Sequence, residues 1–215
     1  MLELYSYFRS SAAYRVRIAL ALKGLDYAMV PVHLLRNGGE QRSDQYLAIN
    51  PDGLVPALLD DGQVLTQSLA IIEYLDEAYG PARLLPESPL ARARVRALAL
   101  QIACEIHPLN NLRVLRYLSQ TAGLSQEQRD AWYRHWVLTG FQALERRLSD
   151  SPDTGLCCHG DEAGLADCCL IPQVFNARRY EIDLSPFPTI ERIVSHCETL
   201  PAFQAAHPSR QPDAE

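Results

Sequence analysis

The sequence lacks any apolar run approaching the roughly 18 residues that a membrane-spanning helix requires. Its start, Met1-Leu2-Glu3-Leu4, has neither the basic flank nor the long apolar core of a secretory signal. Both absences predict a cytoplasmic protein that does not use a membrane. Positive charge is also in short supply: 20 Lys and Arg stand against 26 Asp and Glu, for a net charge of -6. Without a basic field, neither nucleic acid nor an anionic membrane is expected as a partner, and any anion site must be local. Internal repeats and low-complexity tracts are absent. The six cysteines lack the spacing of a metal site. Cys157-Cys158 and Cys168-Cys169 are adjacent, whereas zinc ligands are usually separated by roughly two to four residues so that their sulfurs converge. No metal is therefore expected, and the thiols are read as buried, reduced and apolar in character.

What is present suffices for two compact cores, since the chain has 215 residues and is 47% hydrophobic. A strand is predicted over 2–7, with Ser10-Ser11 suited to cap the helix that follows. Val16, Ala19 and Leu20 recur at helical spacing over 14–23, and Lys23-Gly24 supplies a basic last turn and a stop. A second strand over 27–32 contains Pro31, which cannot donate to a ladder and so marks a sheet edge. A short helical piece is expected near Tyr46, followed by the turn Asn50-Pro51-Asp52-Gly53. The strands over 55–59 and 63–65 flank the hairpin signal Asp60-Asp61-Gly62. Gln67-Ser68 then opens a helix with Leu69, Ile72, Leu75 and Tyr79 on one face, ended by Gly80-Pro81.

The resulting order is βαβαββα over 1–80. A linker over 81–89, holding Pro81, Pro86 and Pro89, leads to an all-helical domain over 90–215. There, helical periodicity covers 90–118, with a kink expected at Pro108, and 126–148. The polar tail over 208–215 is expected to fray.

The chain resembles the zeta-class glutathione transferases, the family that contains maleylacetoacetate isomerase. The likeness rests on Tyr5-Ser6-Tyr7-Phe8-Arg9-Ser10-Ser11, Tyr14-Arg15-Val16-Arg17-Ile18-Ala19-Leu20, Asn50-Pro51, Val55-Pro56 and Gln67-Ser68-Leu69-Ala70-Ile71-Ile72-Glu73-Tyr74-Leu75. Leu170-Ile171-Pro172-Gln173 and the closing Arg210-Gln211-Pro212-Asp213 are the motifs more specific to the zeta class. The resemblance implies an α+β, thioredoxin-like amino-terminal domain that holds glutathione, an all-α carboxy-terminal domain, and a homodimer.

It also implies site residues. A cis Val55-Pro56 would present the backbone of Val55 to the cysteinyl unit of glutathione like an added strand; an ordinary trans proline is the alternative. Gln67 and Ser68 would meet the γ-glutamyl carboxylate at a helix start, unless they only cap it. Gln41, His107 and Asn111 complete the expected cofactor set, with His107 as a pocket-wall residue rather than an acid or base. A free thiol, with pKa about 8.5, needs activation. Ser10 is the first choice for donating a hydrogen bond to the thiolate, Ser11 the second, and either could be a plain N-cap. Arg9, Arg15, Arg113 and Arg179 are the candidates for binding substrate carboxylates.

Two positions depart from the family pattern. Ala12 stands where the zeta motif has cysteine, which removes any nucleophilic protein thiol, and Gly164 stands where a capping Ser or Thr is usual. The implied activity is isomerisation of maleylacetoacetate to its fumaryl isomer in tyrosine and phenylalanine catabolism, with glutathione regenerated. Maleylpyruvate isomerisation, glutathione transfer to α-halo acids or other electrophiles, and a non-enzymatic interaction module are the alternatives.

Overall fold

The computed structural model describes residues 1–80 and 83–215; Pro81, expected to end a helix and open the linker, lies outside the described residues. Among these residues the chain divides into two compact units, 1–85 with 198–215, and 86–197. The expected second domain, 90–215, is thus shorter at its end than its helical pattern suggested, because the last segment packs with the first unit.

The first unit has the thioredoxin-like order. β1 (Leu2–Ser6) leads to α1 (Ser11–Leu22), β2 (Tyr27–Pro31) and the short α2 (Asp44–Leu47). β3 (Ala57–Asp60), β4 (Gln63–Thr66) and α3 (Ser68–Ala78) follow. The sheet order is β2-β1-β3-β4, with β1 parallel to β2 and both remaining pairs antiparallel. β2 is an edge, as Pro31 requires. β3 starts at Ala57 rather than Val55, since Pro56 has no N–H to give to a ladder. Asp61 (φ 44°) and Gly62 (φ 81°) form the two-residue turn between β3 and β4.

α1 begins three residues earlier than its apolar spacing suggested, because Ser10 caps it: the Ser10 Oγ accepts from the Ala13 N–H at 3.2 Å. On α3 the buried face is Ile71, Ile72 and Leu75, all 0% exposed, whereas Leu69 and Tyr79 are only half-buried. Together with Leu4, Ile18, Leu20 and Leu58 they make the core of this unit. Each such side chain contributes about 1.5–3 kcal/mol.

The second unit contains α4 (Pro89–Leu100), α5 (His107–Asn110), α6 (Leu112–Gln120), α7 (Gln126–Ser149), α8 (Leu165–Arg179) and α9 (Pro188–Cys197). The single kinked helix expected over 90–118 is instead divided twice. Ahead of Pro108, residues Gln101–Ile106 widen into a π-helical stretch, in which the His107 N–H reaches the Ile102 carbonyl. The chain then breaks at Asn111, whose backbone is extended (ψ 161°) and whose Oδ1 caps α6 by accepting from Val114 N–H at 3.1 Å. Gly140 on α7 allows the π stretch to approach, since a Cβ there would sit 2.4 Å from the Ile106 side chain.

α10 (Pro201–Ala206) closes the chain and belongs to the first unit, where Arg17 of α1 donates to the Ala206 carbonyl at 3.1 Å. The tail is not frayed. Pro208–Arg210 form a 3-10 turn, and Gln211, 8% exposed, donates to the carbonyls of Ala205 and His207, both at 3.0 Å. Among the described residues no helix is long and apolar enough to cross a membrane.

Candidate active site

The sheet register brings three sequence motifs to one end of the first unit. Tyr5 of β1 pairs with Ala57, and Ala57 pairs with Thr66. The loop over 7–10 therefore leaves the sheet beside the point where Val55-Pro56 enters it and where Gln67-Ser68 departs. Beneath this end lies an apolar cluster of Tyr7, Phe8, Val32, Tyr46 and Val55.

Ser10 sits at the start of α1, half-buried, with its oxygen engaged by the Ala13 N–H. A hydroxyl that accepts in this way keeps its proton for donation. The first turn of α1 carries no acidic residue, so the positive end of the helix dipole is left for an anion. Ser11, by contrast, is 5% exposed and lies in the body of the helix start. At Ala12 there is no thiol.

The Val55-Pro56 bond is cis, as expected. The preceding Leu54 carbonyl accepts from the Tyr46 hydroxyl at 2.6 Å and from Asn50 Nδ2 at 2.8 Å, which fixes the approach to Val55. Asn50 also accepts from the Asp52 N–H at 3.1 Å. Its Asn-Pro motif was legible in the sequence, but its bracing of Leu54 and the part of Tyr46 were not.

Gln67 has φ 67°, a conformation uncommon for a residue with a side chain, and makes no side-chain cap bond. Ser68 is 7% exposed and its Oγ accepts from Arg15 Nη1 at 3.3 Å. Arg15, expected to meet a substrate carboxylate, is 2% exposed and braces Ser68 through this bond.

Gln41 is 6% exposed, and its Oε1 is buried without a hydrogen-bond partner among the described residues. A buried acceptor left open costs about 1–3 kcal/mol, so Gln41 fits a ligand that brings a donor. Gly39, at φ 109°, keeps room for it: a Cβ there would lie 2.7 Å from the Gln41 amide. Arg9 lies over the Phe8 ring at 5.1 Å and donates to the Tyr7 hydroxyl from Nη2 at 2.9 Å, which leaves other guanidinium protons for an anion.

The Arg17 guanidinium, fully buried, donates to Ser6 Oγ, Tyr7 O and Phe8 O at 3.1, 3.4 and 2.9 Å. Burial lowers its pKa to about 10, so it stays cationic at neutral pH.

In the second unit, Asn111 spends its side-chain oxygen on capping α6, and His107 is half-buried at the start of α5. Arg113 is exposed on α6. Arg179 is exposed at the end of α8, beside the stacked rings of Tyr133 and Tyr180, whose centroids are 3.6 Å apart. Asp167 supplies the half of a capping box that needs no side chain at Gly164: its Oδ2 accepts from Gly164 N–H at 2.9 Å, and its Oδ1 accepts from Cys158 N–H at 2.8 Å. The thiols that converge are not those of a doublet. Cys157, Asp167 and Cys197 bring ligand atoms within 4.8 Å of one another. Each Asp167 oxygen already accepts a backbone N–H, and hydrogen bonding with Cys157 together with burial pushes the Cys197 thiol far up.

Comparison with known proteins decides the family. The family described as "Glutathione S-transferase, N-terminal domain" matches residues 9–78. A protein of Vibrio cholerae named "Probable maleylacetoacetate isomerase" is 51% identical over 99% of this chain and 98% of its own. The chain belongs to the zeta-class glutathione transferases. Within that class, a holo structure of a bacterial maleylpyruvate isomerase superposes with a TM-score of 0.95 at 46% identity, covering 99% of this chain and 100% of the other. A maleylacetoacetate isomerase from Methylobacterium extorquens, solved with malonate and glutathione bound, gives the same TM-score and identity over 99% of each chain. The zeta-class fold, with a thioredoxin-like domain and a mostly helical remainder, is the one described above.

Proposed function

We propose that the chain is a glutathione-dependent cis-trans isomerase of maleyl keto diacids, converting maleylacetoacetate to fumarylacetoacetate, and that it does so as a cytoplasmic homodimer. The observation that carries the reading is the Ser10 hydroxyl, engaged as acceptor by Ala13 N–H at the acid-free start of α1.

When bound, glutathione supplies a thiolate that adds to the cis double bond and is released once the former double bond has rotated. Ser10 donates its hydroxyl proton in a hydrogen bond to sulfur, and the α1 amino terminus adds favourable potential. The Val55 backbone pairs with the cysteinyl unit, Gln67 and Ser68 receive the γ-glutamyl carboxylate, and Gln41 meets a donor of the peptide. His107 and Asn111 remain weaker cofactor candidates, the latter with one side-chain oxygen already committed. Arg9, Arg113 and Arg179 hold substrate carboxylates and oppose the negative charge that develops on the keto oxygen.

Maleylpyruvate, a shorter keto diacid, is the second substrate reading, favoured by the likeness to the maleylpyruvate isomerase structure. Incubating the enzyme with each maleyl acid and catalytic glutathione tests both. The trans isomer should accumulate while total free thiol stays constant. Loss of one thiol per substrate, without trans product, would replace isomerisation by transfer to an electrophile. Light scattering that returns the mass of one chain would remove the dimer.

A further inference from the structure

The closing motif Arg210-Gln211-Pro212-Asp213 reaches back to the loop that carries Ser10. Asp213 Oδ2 accepts the Phe8 N–H at 2.9 Å, across 205 positions of sequence. On the other side of the same residue, the Phe8 carbonyl accepts from Arg17 Nη2 at 2.9 Å. Phe8 is therefore gripped at its donor by the tail and at its acceptor by α1. Ser10 is tied to the gripped loop, because its N–H donates to the Tyr7 carbonyl at 2.9 Å, and that carbonyl also receives Arg17 Nη1 at 3.4 Å.

The tail is itself anchored on both sides of Asp213. Gln211 donates to Ala205 and His207, and Glu215 pairs with Arg36 and lies 3.4 Å from His33 Nε2. Asp213 Oδ1 is buried without a hydrogen-bond partner among the described residues. The field of Arg17, which Asp213 in turn helps to keep protonated, compensates its charge. A carboxylate held in this way is expensive to bury, and its single hydrogen bond goes to the loop ahead of Ser10.

We propose that Asp213 is a positioning residue for thiol activation: by holding the Phe8 N–H it sets the loop over 7–10, and so the place from which the Ser10 hydroxyl meets the sulfur. The inference rests on the reading of Ser10 given above. A displacement of about 1 Å in a reacting group can cost about a hundredfold in rate, so a loop fixed from both sides has a use beyond stability.

The test is the pKa of the bound glutathione thiol, read from thiolate absorbance against pH in the full-length protein, together with kcat/KM over the same range. Ser10→Ala should raise that pKa toward the free value. Asp213→Ala should raise it by about half a unit, which is about a threefold loss of thiolate near pH 7. Asp213→Asn, whose amide oxygen can still accept from Phe8, should restore the parent value. Should Asp213→Ala not fold, Gln211→Ala frees the tail from Ala205 and His207 without altering the Phe8 contact partners, and should shift the pKa in the same direction. A folded Asp213→Ala that melts earlier but keeps the thiol pKa and pH profile, beside a shifted Ser10→Ala, removes the tail's role and leaves Ser10 standing. An unshifted Ser10→Ala brings down the activation reading itself, and this inference with it.

Discussion

Ser10 was open to two readings, helix cap or thiol donor, and the geometry shows why both can hold in one hydroxyl. The cap uses an oxygen lone pair and leaves the proton. Ser10→Ala should accordingly act twice. Loss of the cap costs about 1 kcal/mol of stability, and loss of a hydrogen bond to a charged sulfur costs about 1.5–3 kcal/mol, or roughly 10- to 150-fold in kcat/KM. Ser11→Ala and Ala12→Cys should change turnover by less than about threefold, less than one ordinary hydrogen bond is worth. Thermal melts and steady-state kinetics on the three variants separate these outcomes; a larger kinetic loss at Ser11 would reassign the donor. What could not be read at this scale was the support. The sequence offers Arg15 as a candidate for a substrate carboxylate, and only the fold shows that Arg15 and Arg17 both turn inward, one onto Ser68 and one onto the carbonyls of Tyr7 and Phe8.

Among the elements, the strands and helices of the first unit were legible in kind, because the period-2 and period-3.6 patterns are short and well punctuated by Gly24, Gly53 and Gly62. Their ends were less so, since caps and ladder donors, not hydrophobicity, set them at Ser10 and Pro56. The segment around Pro108 carried a helical pattern throughout, and nothing in it signalled a π stretch. That stretch places Cys104 on the surface, whereas Cys157, Cys158, Cys168, Cys169 and Cys197 are buried. Burial, with Asp167 close by, also pushes the Cys158 thiol well above its ordinary range. An aromatic disulfide reagent should therefore titrate one thiol rapidly in the native protein and all six after denaturation. Two or more fast thiols would show that the loop bearing Cys157 and Cys158 opens in solution.

On the scale of the whole molecule, the deficit of positive charge hides a second bias. Lys23 is the only lysine, so every other basic side chain counted with it is arginine. The proposed substrates are electrophilic alkenes, which react with amines as well as thiols, and arginine stays protonated and unreactive where lysine does not. Lys23 is withdrawn from this chemistry by its place in the fold. Its side chain is 0% exposed, its Nζ lies 3.5 Å from Asp76 Oδ1, and Asp76 accepts in addition from the Leu84 N–H at 2.6 Å. Removing one partner of a buried pair like this costs about 3–5 kcal/mol, so Lys23→Met should destabilise the protein far more than a surface lysine would. The amino group of Met1, by contrast, is exposed beside Asp61. Reductive methylation followed by mass spectrometry should hence modify Met1 alone in the folded chain and both Met1 and Lys23 in denaturant. Rapid methylation of Lys23 in the native state would mean that the end of α1 opens, and that the chain is not shielded from its own substrate in this way.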